Sequence, residues 1–168
     1  MQNGQNSYDA IMNEAEAGNP HAMLQLAKLY RAGVFEDESE EQYIYWLRQF
    51  FENPVVDALL TTLDADDDED FTDEFFKSRQ TLEAIDFETE SVLQADIVEA
   101  GVSLGLYFKN SCDKEELFCA RNSLYAALIA SRFDYLEVPE ANNVTDVLSI
   151  LTTINKRIEV FGFEEGII

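Results

Sequence analysis

The sequence predicts an all-α protein, and three observations carry that prediction. Apolar residues recur at three- and four-residue spacing through most of the chain, alternating strand patterns are hard to find, and only three prolines and seven glycines interrupt 168 residues. With 46% hydrophobic residues, 12 Phe, seven Tyr and one Trp, the chain has the apolar mass to bury a substantial core, which a disordered acidic tail lacks. A single all-helical domain over residues 1–168 is the expectation for this length.

The spacing places helices near residues 7–17, 20–32, 39–52, 55–63, 71–85, 89–109, 114–132 and 143–160, an antiparallel array of hairpins with about seven or eight helices. After the first, Asn19-Pro20 opens the second helix and Asn53-Pro54 the fourth. Asn is a capping residue, and Pro suits the first helical position because its missing N–H has no partner there anyway. Ala22, Leu26, Ala27 and Tyr30 form the stripe of the second helix and Gly33 ends it; Tyr43, Trp46, Leu47 and Phe50 form the stripe of the third. Small Ala22 and Ala27 allow close approach, while Tyr30 and Trp46 fill the remaining volume. Phe71, Phe75 and Phe76 give the fifth helix an apolar face, with Asp73 and Glu74 favouring its positive N-terminal end. Ala100, Leu104, Gly105 and Phe108, then Ala120, Leu124, Ala127 and Leu128, pattern the sixth and seventh.

The two Asn-Pro pairs lie 34 residues apart, the length of a helix-turn-helix repeat. Between them, Ala22, Leu26, Tyr30, Gly33 and Trp46 match the pattern A-x3-L-G-x2-Y-x2-G followed by A-x2-W-Y-x2-A-A, with Ala27 for Gly, Tyr43 for Ala, and Phe50 and Phe51 for the last Ala pair. Here the chain resembles the Sel-one-like repeat family, relatives of the tetratricopeptide repeats, with a good repeat near residues 15–53 and a degenerate one near 97–131. The resemblance implies a repeat-like helical array serving as a protein-binding scaffold.

Charge narrows the partners. The chain holds 34 Asp and Glu against 11 Lys and Arg, a net charge of −23, which disfavours nucleic acid and anionic lipid as direct ligands and favours a basic partner. Residues 36–100 contain 21 acids against Arg48, Lys77 and Arg79, a net of −18, and the rest of the chain carries only −5. The densest stretch, an acidic loop or insertion near 64–74, reads DADDDEDFTDE, eight carboxylates in eleven residues. Asp64, Asp66 and Asp68 fit positions 1, 3 and 5 of a calcium loop, but Glu69 stands where the sharp turn needs Gly and Phe75 where a bidentate Glu is needed, so no metal site is expected. Two readings of this stretch stand: a solvated loop, or a partner-facing surface. In the second, Asp66, Asp67, Asp68, Asp70, Asp73 and Glu74 are the contact charges, with Glu36, Asp37, Glu38, Glu40 and Glu41 as a second patch.

Signals for catalysis are missing from the sequence. There is no Gly-rich phosphate loop, G-x-S-x-G elbow or H-E-x-x-H; the lone His21 reads as a surface or capping residue, and Cys112 and Cys119 as packing thiols. No enzyme activity and no cofactor are expected. No apolar run approaches the ~20 residues that span a bilayer, and the start MQNGQNSYDA lacks the features of a signal peptide, so a soluble cytoplasmic protein without a membrane partner is expected. The C-terminal VFGFEEGII is compatible with a short docked strand, a dimer contact or a frayed end. Together these point to an acidic inhibitor of a basic partner, with an immunity protein against a nuclease-type bacterial toxin as the best fit. The alternatives are a repeat scaffold or adaptor and a nucleic-acid mimic that inhibits a DNA-binding protein.

Overall fold

All eight expected helices form in a computed structural model of the chain, which describes residues 2–34, 40–64, 73–131 and 144–162. They are α1 (Gln2–Glu16), α2 (Pro20–Arg31), α3 (Glu40–Glu52), α4 (Pro54–Asp64), α5 (Asp73–Leu82), α6 (Phe87–Phe108), α7 (Lys114–Ala130) and α8 (Val144–Phe161), with no strand among the described residues. Three of the boundaries that depart from the sequence reading have identifiable reasons. Helix α1 starts at Gln2 because its polar first turns carry no apolar spacing to read. Helix α5 stops at Leu82, and α6 begins at Phe87, because the Asp86 carboxylate accepts the Thr89 amide at 2.7 Å and so caps the next helix.

The chain groups into two compact units, residues 1–96 and 97–168, and α6 contributes to both. In the first unit consecutive helices pack on one another from α1 through α5. Gly18 and Gly33, at φ 101° and 73°, terminate α1 and α2 in the left-handed region that L side chains avoid. There the Asn19 amide donates to the Glu14 carbonyl at 3.0 Å and the Val34 amide to the Leu29 carbonyl at 3.2 Å, closing the last turns. The predicted caps hold: Asn19 accepts the Ala22 amide at 3.3 Å, and Asn53 accepts the Val55 amide at 2.9 Å. Asn53 also donates to the Gly18 carbonyl at 2.8 Å, tying one Asn-Pro turn to the chain just before the other. Leu26, Ala27, Leu47, Phe50, Val56 and Leu59 are fully buried. The large ones among them contribute roughly 1.5–3 kcal/mol each by leaving water.

In the second unit α6 and α7 approach closely. A Cβ added to Gly101 would lie 2.4 Å from the Ser123 carbonyl oxygen, and one on Gly105 the same distance from Leu124 Cγ. Val147, Leu151, Ile154 and Ile158, spaced by four, three and four, form the buried stripe of α8. Arg157 donates to the carbonyls of Asn110 and Ser111 at 2.9 and 3.0 Å, satisfying backbone acceptors just past the end of α6. Cys112 is exposed, 3.8 Å from the Arg157 guanidinium, and only Cys119 is partly packed, so the packing role expected of both thiols holds for one.

Candidate functional site

The acids expected to face a partner divide by position. Glu40 and Glu41 are exposed in the first turn of α3, Asp73 is exposed at the first position of α5, and Glu74 follows it in the same turn. Glu36, Asp37 and Glu38, and likewise Asp66, Asp67, Asp68 and Asp70, lie outside the described residues. Glu40 and Glu41 at the start of α3 and Asp73 at the start of α5 lie near unpaired N–H groups that favour acids, so each also supports its own helix.

Further exposed carboxylates lie elsewhere in the first unit: Glu52, Asp57, Asp64, Glu83, Asp86 and Glu88. Asp86 is held below its ordinary carboxyl value of 3.8 by the Thr89 amide and hydroxyl that donate to it. It therefore keeps its charge into mildly acidic solution. An ion pair in water at contact distance is worth only about 1 kcal/mol, so a surface of this kind binds through many weak attractions.

Among the described residues of the first unit, three exposed rings accompany these charges. Tyr45 is 49% exposed, Phe76 54% and Phe87 78%. The sequence assigned Phe76 to the buried face of its helix, and the structure turns it outward. Phe75 beside it is half-buried and meets the Phe76 ring edge-on, with centroids 5.8 Å apart. Tyr45 likewise makes an edge-on contact with buried Trp46 at 5.1 Å, which braces its position on α3.

His21 does more than sit at the surface. Its side chain is 49% exposed, and its Nδ1 lies 2.7 Å from Oδ2 of Asp96, a residue only 6% exposed, so the contact links the start of α2 to α6. Nothing in the sequence pairs these two, since 75 residues separate them and Asp96 is one acid among many. Among the described residues no group of three or more His, Cys, Asp or Glu side chains is arranged to hold a metal ion. Nor is any described helix long and apolar enough to cross a membrane. In comparisons with known proteins, no family model, no curated protein and no solved structure matches this chain.

Proposed function

We propose that the chain is an acidic, non-catalytic, protein-binding inhibitor of the cytoplasm that neutralises a basic partner, in the manner of an immunity protein against a nuclease-type toxin. The observation that carries this reading is the concentration of charge in the sequence, −18 over residues 36–100, beside the exposure of Glu40, Glu41 and Asp73 at two helix starts of the first unit. Such a field repels nucleic acid and accelerates encounter with a cationic cleft, where it competes with the partner's anionic substrate. The acids set the on-rate, while aromatic contacts that become buried set the off-rate.

A second reading has its own support. The Asn53 side chain bonds the Gly18 carbonyl across 35 residues, close to the 34-residue interval between the Asn-Pro turns. Such a link between equivalent turns suits a Sel-one-like or tetratricopeptide-like scaffold that holds a partner on its helices, with acidity serving solubility.

Ionic strength separates the two. Affinity capture from the native host at low salt, followed by a salt gradient, tests the inhibitor reading through a basic nuclease or DNA-binding protein released by salt. The captured protein's activity is then assayed with and without this chain. Retention through 1 M salt, where the Debye length is about 3 Å, favours the scaffold. A variant carrying Glu40→Lys, Glu41→Lys, Asp73→Lys and Glu74→Lys associates more slowly and with a flatter salt dependence if these acids steer the encounter. Unchanged kinetics remove them from the mechanism.

A further inference from the structure

We draw no further inference here: the strongest candidate, the uncharged outer stripe of α7 made by Phe118, Asn122, Tyr125 and Ile129, is a partly exposed helix face, and nothing in the structure shows what covers it.

Discussion

At the scale of single residues, the absence of a side chain at Gly101 is a tight constraint. A methyl group there would meet the Ser123 carbonyl oxygen at 2.4 Å and the Ala127 Cβ at 3.0 Å, and backbone cannot step aside as a side chain can. Gly101→Ala is therefore expected to destabilise the second unit by roughly 1–3 kcal/mol, the usual cost of overpacking. Gly105→Ala pushes on the Leu124 side chain instead, which can change rotamer, so it should cost less; chemical denaturation of the two variants checks the order. Asp86 gives a residue-scale prediction in pH. Its folded value is lowered, so its contribution is fully present above the unfolded value of 3.8 and is lost as pH falls through the folded value below that. Amide exchange at the start of α6 should be faster in Asp86→Ala than in the parent at pH 6. The difference should close once the pH falls through the lowered folded value and the parent carboxylate protonates. A difference that persists there would mean that the charge is not what holds the cap.

At the scale of elements, Asn53 bears on both stability and the repeat question. One side chain caps α4 and bonds the Gly18 carbonyl, whereas Asn19 caps α2 alone. Asn19→Ala should cost about 1 kcal/mol, the typical worth of a cap, and Asn53→Ala roughly 1–2 kcal/mol more because a second, part-buried bond goes with it. Equal melting temperatures for the two variants would deny the link any energetic weight. Elements were also what the sequence made most legible. Helix positions could be read because Ala22 and Leu26 on α2, and Tyr43, Leu47 and Phe50 on α3, recur at the period that buries one face, and all five are buried. What the period does not encode is which large residue stays outside. Tyr45, Phe76 and Phe87 look like core residues by type, and only packing among neighbouring helices decides that they face solvent. The His21–Asp96 contact was hidden for a related reason, since no spacing rule links residues 75 apart. Of the candidate acids, Glu40, Glu41 and Asp73 were legible because a helix start is written locally, in acids that precede an apolar stripe.

For the molecule as a whole, the net charge of −23 is the dominant physical fact and can be tested without a partner. Like charges on a folded surface raise its energy relative to an unfolded chain in which they stand further apart, so part of the packing energy is offset by self-repulsion. Added salt screens that repulsion: the Debye length falls from about 30 Å at 0.01 M to about 8 Å at 0.15 M. The melting temperature is therefore expected to rise over this range, by about 2–4 °C for each kcal/mol of repulsion removed in a chain of this size. Sodium and potassium chloride should act alike if screening is the cause, whereas a rise confined to calcium would indicate cation capture by the carboxylates. A fall with salt would show that attractive ion pairs outweigh repulsion, and the acids would then be engaged within the fold rather than held ready for a partner. On the reading proposed above, the same repulsion gives a basic partner its leverage. Covering the surface with opposite charge relieves self-repulsion at the moment of binding, so the complex should melt well above the free chain, and that gap should narrow as salt is raised.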